Sequence, residues 1–189
     1  MGIMDFLVMK LDVRNIVADI AKLLAVSART APKARGIDDL EIAILSSNDD
    51  LEKLAVKMEE LSKDEKMKFF SRDAMNVRQS HAVLLIGVKS SKPKELDCGG
   101  CGYETCNGFR KANRNAGKGY SGPSCIFQLV DLGIAIGSAV KMASTLNVDN
   151  RVMYSIGVAA LKLGLLKESE IAFGIPLSAY GKSIYFDRR

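Results

Sequence analysis

An α+β layer fold is predicted by three features of this sequence. Amphipathic helical stretches open the chain, "HAVLLIGV" and "EIAFGIPLSA" are apolar runs of strand length, and a long helical run separates those two strands. At 189 residues, 48% of them hydrophobic and 26% charged, the chain can bury one sizeable core, and residues 1–189 are expected to form a single domain.

The elements follow in order. "VRNIVADIAKLLAVSA" has apolar residues at helical spacing, and "RTAPKARG" ends that helix in a loop rich in Pro and Gly. "DLEIAIL" reads as a strand, and "NDDLEKLAVKMEELS" as an amphipathic helix. A further helix is expected near Ser62, because Ser62 and Glu65 have the spacing of a capping box. "HAVLLIGV" is a buried strand, and "SKPKELDCGG" opens a loop. "IFQLVDLGIAIGSAVKMASTL" is helical in length but apolar nearly all round, which predicts passage through the core, with Gly133 and Gly137 serving close packing. "RVMYSIG" and "EIAFGIPLSA" read as strands on either side of a short helix around "VAALKLGLL". There is no internal repeat and no low-complexity tract.

Charge and hydropathy exclude several classes. The opening "MGIMDFLVMKLDV" is broken by Asp5, Lys10 and Asp12 and lacks the apolar run of a secretory signal. The apolar runs elsewhere are short or bounded by charges such as Asp131 and Lys141, so a cytoplasmic protein without membrane association is expected. Net charge is +5, yet the basic residues are dispersed and aromatic interleaving is absent, which argues against nucleic acid as a partner. One local cluster, Arg110, Lys111, Arg114 and Lys118, is either a solvated surface or a docking point for an acidic redox partner protein. His81, the sole histidine, opens an apolar strand, where a structural role is expected.

The concentrated signal is "CGGCGYETC". Three of the four cysteines stand at 98, 101 and 106, and the fourth is Cys125. Four thiolates can close a tetrahedral zinc site or cap the four irons of a cubane cluster. Structural zinc usually draws on two separate pairs of ligands, and here a single glycine-rich loop supplies three with one distant residue as the fourth. That distribution favours a 4Fe-4S cluster on Cys98, Cys101, Cys106 and Cys125, with zinc or plain thiols as the alternatives. The iron-sulfur segment then spans residues 89–125.

The loop resembles the small four-iron domains of electron-transport complex B subunits and of the corrinoid iron-sulfur protein. "CGGCGYETC", "GPSC", "DLGIAIGSAVKMAS" and "GIPLSAYGKSIYFDR" together resemble a family of prokaryotic proteins containing a ferredoxin domain, which implies a 4Fe-4S cluster but no particular reaction. The scaffold is also similar to nitroreductases: "AVSARTAPKARGIDDLEIAIL" resembles the helix, loop and strand that line a flavin there, and "DLGIAIGSAVKMASTLNV" their long central helix. This resemblance implies a nitroreductase-like mixed sheet with flanking helices, a homodimer, and FMN as a second cofactor. Arg29, Lys33, Arg35 and Lys182 are the candidate phosphate partners. The basic motif that grips the flavin phosphate in those enzymes has no good match around "LDVRNIV", and "RGIDDL" replaces their Asn-x-Gln-Pro segment. Two functions are therefore expected: an iron-sulfur protein for electron transfer or cluster-dependent binding, or an FMN-dependent oxidoreductase that uses the cluster as a relay.

Overall fold

The computed structural model describes residues 10–186. The first nine residues of the expected non-signal start, and the last three of the given sequence, lie outside this range.

The chain opens on helix α1 (Val13–Thr30), capped by the Asp12 carboxylate, which accepts from Asn15 N. Val17, Ala21, Leu24 and Ala28 recur at helical spacing and are buried. At the other end, Lys33 Nζ donates to the carbonyls of Ala28, Arg29 and Ala31 at 3.1, 2.8 and 2.5 Å, satisfying groups the helix cannot. A single 3-10 turn (Ala34–Gly36) leads to strand β1 (Leu40–Leu45), followed by α2 (Asn48–Leu61) and α3 (Phe69–Gln79).

Strand β2 (Ala82–Val88) is buried along its whole length. The cysteine loop follows and holds the short helix α4 (Cys106–Arg110) and the two-residue strands β3 (Asn115–Ala116) and β4 (Ser121–Gly122). Helices α5 (Ile126–Thr145) and α6 (Tyr154–Lys162) flank the short strand β5 (Asp149–Asn150), and β6 (Ile171–Ser178) completes the sheet. The main sheet is antiparallel, in the order β1-β2-β6-β5.

Alternation along β2 explains the layers. Leu84 and Ile86 face a core shared with α1 and α5, while Val83 and Leu85 face a second core built by α2, α3 and α6. The predicted α+β class is therefore found as one sheet with a helical layer on each face. Gly157 of α6 lies so close to β6 that a Cβ there would overlap the Ala172 carbonyl.

Four expectations are corrected. Ser62 does not start a helix: it is the C-cap of α2, its hydroxyl donating to Glu59 O, and the Asp64 carboxylate caps the next turn instead. "RVMYSIG" is not a strand: pairing with β6 is confined to Asp149–Asn150, just before it, and a bridge at Met153, and the glycine at 157 lets α6 seat against β6 from Tyr154 onward. Helix α5 does not run covered through the core. Its Leu132, Ala135, Ala139 and Ala143 pack inward, while Ile126, Leu129, Val130 and Ile134 are exposed. Gly133 and Gly137 belong to the bare side, and a Cβ on either would meet nothing within 4 Å. By length and composition alone α5 could cross a membrane, but its inner side is packed on α1 and the sheet.

Candidate metal centre

The cysteine loop leaves the sheet at Val88 and is tied down at once. Glu170, just before β6, accepts from Ser91 N and Ser91 Oγ at 2.7 and 2.8 Å and from Ser90 Oγ at 3.1 Å. Burial pushes the Glu170 carboxyl up, but these bonds and the Arg114 charge outweigh it and hold it below its ordinary value. Arg114 joins this anchor from within the loop, donating to Ser90 Oγ, Glu170 and the carbonyls of Ser121 and Pro123. Cys125 N then donates to Ser90 O at 2.8 Å, so the fourth cysteine stands beside the loop's exit from the sheet.

Left-handed backbone shapes the three-cysteine segment. Glu95, Asp97, Gly99 and Gly102 have φ of 54°, 43°, 72° and 86°, and Gly102 N donates to Gly99 O at 2.9 Å to close a turn around Cys101. The Asp97 carboxylate accepts from Cys106 N at 2.6 Å, which joins the two ends of the segment. Thr105 caps α4 by accepting from Gly108 N, and Phe109, edge-on to Tyr103, buries this short helix.

Cys98 is exposed, Cys101 half-buried, and Cys106 and Cys125 are buried; all four are free thiols. The loop is folded back onto the start of α5. A Cβ on Gly100 would lie 2.8 Å from Ile126 Cγ2, so the absence of a side chain there lets the loop pack on the residue next to Cys125. Cys125 is itself the N-cap of α5, and its side chain makes no capping bond. Among the described residues, no group of three or more His, Cys, Asp or Glu side chains is drawn together closely enough to hold a metal ion. By chemistry alone the donor set is one a thiolate-bound group takes, four free sulfurs and a loop with glycines at its turns, but in this structure the four are not gathered on a common centre.

Beneath the loop lies a buried polar network that the sequence reading did not single out. Lys94, only 2% exposed in its side chain, places Nζ 2.9 Å from Asp39 Oδ2, 3.0 Å from Asp131 Oδ2 and 2.7 Å from Ile37 O. Gln128 Nε2 donates to Asp39 Oδ2 and to Lys92 O, both at 3.0 Å, and Asp131 Oδ1 accepts from Ala34 N. Burial alone would raise the Asp39 carboxyl, yet hydrogen bonds from Lys92, Lys94 and Gln128 and the Lys94 charge bring it to about 2. Burial alone would lower Lys94, and its two carboxylates raise it instead. The signal for it in the sequence is Gln128 and Asp131, three apart in the otherwise apolar first half of α5.

The proposed phosphate cations are spread out. Arg29 binds Asp38 Oδ2 at 2.6 Å and Leu40 O at 2.8 Å, and Lys33 caps α1; burial lowers Lys33, with Asp38 acting in the opposite sense. Arg35, at φ 59°, donates to Lys94 O and lines a cleft of about 370 Å³ with Lys89, Lys92 and Arg110. These three lie near the Leu40 end of the sheet. Lys182 follows β6 past Ser178, toward the opposite end. In the basic cluster after Cys106, Arg114 turns inward and Lys118 pairs with Asp64, while Arg110 pairs with Glu95. His81 Nδ1 accepts from Ala179 N at 3.3 Å beside the Tyr180 ring, a structural position. Burial, then the Arg14 charge, lowers its pKa.

An apolar groove of about 420 Å³ runs beside the bare side of α5, between Tyr120, Leu129, Leu132, Ile136, Val152 and Phe173.

Comparison with known proteins gives three kinds of likeness. The family model described as an uncharacterised protein containing a ferredoxin domain matches residues 121–188, a span that includes Cys125. An uncharacterised protein of Archaeoglobus fulgidus is 49% identical over 168 residues, 89% of each chain. Among solved structures, a nitroreductase with bound FMN from Desulfitobacterium hafniense superimposes with a TM-score of 0.58 at 11% identity, covering 93% of this chain and 81% of its own. A nitroreductase with bound FMN from Bacteroides fragilis gives a TM-score of 0.56 at 12% identity, covering 91% and 82%. These solved structures establish a nitroreductase-like fold.

Proposed function

We propose that this chain, which belongs to the family of uncharacterised proteins containing a ferredoxin domain, is an iron-sulfur redox protein whose 4Fe-4S cluster is held by Cys98, Cys101, Cys106 and Cys125. The observation that supports the reading is the donor set, four free cysteines with three on one loop whose Gly100 packs on Ile126, next to Cys125. A bound cluster supplies one-electron transfer. The chain's own residues supply the setting for it. Cys125 stands at the amino end of the 20-residue α5, where the helix dipole favours an anionic group. Exposed Cys98 keeps one side of the site within reach of a partner at the surface, while buried Cys106 and Cys125 back it against the core. The paired Asp97 and Cys106 N hold the loop's ends together.

A second reading is favoured by the fold and the groove. The structural neighbours hold FMN, and the groove beside α5 offers an apolar wall for a planar ring, so a flavin and the cluster could work as a relay. Both readings use a homodimer. The exposed Ile126, Leu129, Val130 and Ile134, with open space over Gly133 and Gly137, form the face on which a second copy would pack.

Anaerobic reconstitution with ferrous iron and sulfide, followed by electron paramagnetic resonance of the dithionite-reduced protein, tests the first reading. The expected result is a reduced four-iron signal, lost when Cys98, Cys101 and Cys106 are all changed to Ser. A signal that persists in that variant would overturn the ligand assignment. Flavin titration of the same sample tests the second: saturable quenching of FMN fluorescence supports it, and none would exclude it.

A further inference from the structure

Cys98 and Cys125 belong to parts of the chain far apart in sequence, so something besides the cluster has to hold those parts in register before it is built. One carboxylate rising from the sheet touches both, beside the direct pair that Lys94 makes with Asp131 of α5 at 3.0 Å. Asp39 Oδ2 accepts from Lys94 Nζ at 2.9 Å, on the stem four residues before Cys98, and from Gln128 Nε2 at 3.0 Å, on α5 three residues after Cys125. Lys92 Nζ binds the other oxygen, Oδ1, at 2.5 Å, and Gln128 Nε2 also takes Lys92 O, so stem and helix are linked directly as well as through the carboxylate.

The orientation of Gln128 is forced. Both atoms around Nε2 are acceptors, and the buried Gln128 Oε1 has no hydrogen-bond partner; exchanging the two ends of the amide would set oxygen against oxygen. An orphaned buried acceptor costs stability, so the network gives up one bond to keep the contact with Asp39. Asp39 is in turn fixed by its position next to Leu40, which pairs with Val88 at the end of β2 where the loop begins. The sheet thereby supplies a rigid base, with a single side chain rising from it to both halves of the site.

Building on the cluster reading above, we infer that Asp39 is a positioning residue for the cysteine site: it holds the Cys98 stem and the Cys125 helix in register and so sets how fast the cluster assembles and how well it is kept. It touches no thiolate and takes no part in electron transfer. The second tie, Glu170 with Arg114 and Ser90, fixes the loop's exit and the backbone of Cys125 but makes no bond to the stem at Lys94.

The test compares Asp39→Ala and the milder Asp39→Asn with Arg78→Ala. Arg78 bridges Glu52 and Glu59 on the helical layer of the opposite sheet face, so its loss costs stability away from the cysteines. Two readouts are needed. In cluster-free protein, amide hydrogen exchange of residues 89–106 and 125–129 should rise together by about tenfold in Asp39→Ala, the weight of one charge-assisted hydrogen bond, less in Asp39→Asn, and not in Arg78→Ala. In reconstituted protein, iron release to a chelator should quicken by a similar factor for the Asp39 variants alone. Exchange that rises in only one of the two segments, or iron release no faster than in Arg78→Ala, would overturn the inference. A wild-type chain that takes up no iron removes the cluster reading and the retention role with it. The exchange measurement would then still show whether Asp39 couples the two segments.

Discussion

Changing Lys94 to Met keeps the buried methylenes and removes only the ammonium. Two carboxylates lose their shared cation: Asp39, with a side chain 10% exposed, and Asp131, 4% exposed. A charge pair at 3 Å is worth about 5 kcal/mol at an effective dielectric near 20, before desolvation is subtracted. Breaking a buried pair by deleting one partner typically costs about 3–5 kcal/mol. Asp39 keeps Lys92 and Gln128, whereas Asp131 keeps only Ala34 N, so the lower end, about 3 kcal/mol, is expected. Urea unfolding of the metal-free protein at neutral pH measures it. The pH dependence supplies an independent check. The folded Asp39 carboxyl lies at about 2, below its unfolded value, so its stabilisation is fully present above about pH 4 and is lost as pH falls toward 2. That shift is worth about 2 kcal/mol in the wild type and less in the variant, where Lys94 no longer holds the carboxyl down. The gap between wild type and variant should therefore narrow below pH 4. A loss under about 1 kcal/mol at neutral pH, or a gap that widens in acid, would refute the role given to Lys94.

Cys125→Ala should fold but carry a depleted or three-iron cluster, with new protease cleavage between Lys89 and Tyr120; a full iron complement with an unchanged paramagnetic spectrum would remove Cys125 from the ligand set. Ile134→Lys, on the bare side of α5, should leave unfolding unchanged within about 0.5 kcal/mol while shifting sedimentation from dimer to monomer, and a dimer that persists would move the interface elsewhere. Gly157→Ala should destabilise by at least about 2 kcal/mol in urea unfolding, because its Cβ meets the Ala172 backbone, which cannot step aside.

What the sequence made legible follows from how local each signal is. The runs at "HAVLLIGV" and "EIAFGIPLSA" are buried on both faces and read as strands without knowledge of the partner strand. The crowding of Cys98, Cys101 and Cys106 is likewise a local pattern. Helix α5 was different, since an all-round apolar composition hides which side the chain covers, and Gly133 and Gly137 proved to face outward. The start of α6 is hidden in the sequence because Val152, Tyr154 and Ile156 alternate like a strand, while the determining fact is a tertiary one, the close seat of Gly157 on β6. The Asp39, Lys94, Gln128 and Asp131 network spans three distant segments, and no window of sequence contains it.

Counting iron, acid-labile sulfide, zinc and flavin in one anaerobically purified sample decides between a four-iron cluster and a zinc site. About four irons and four sulfides per chain are expected, one thiolate for each iron. Stoichiometric zinc, with neither iron nor sulfide, would contradict it.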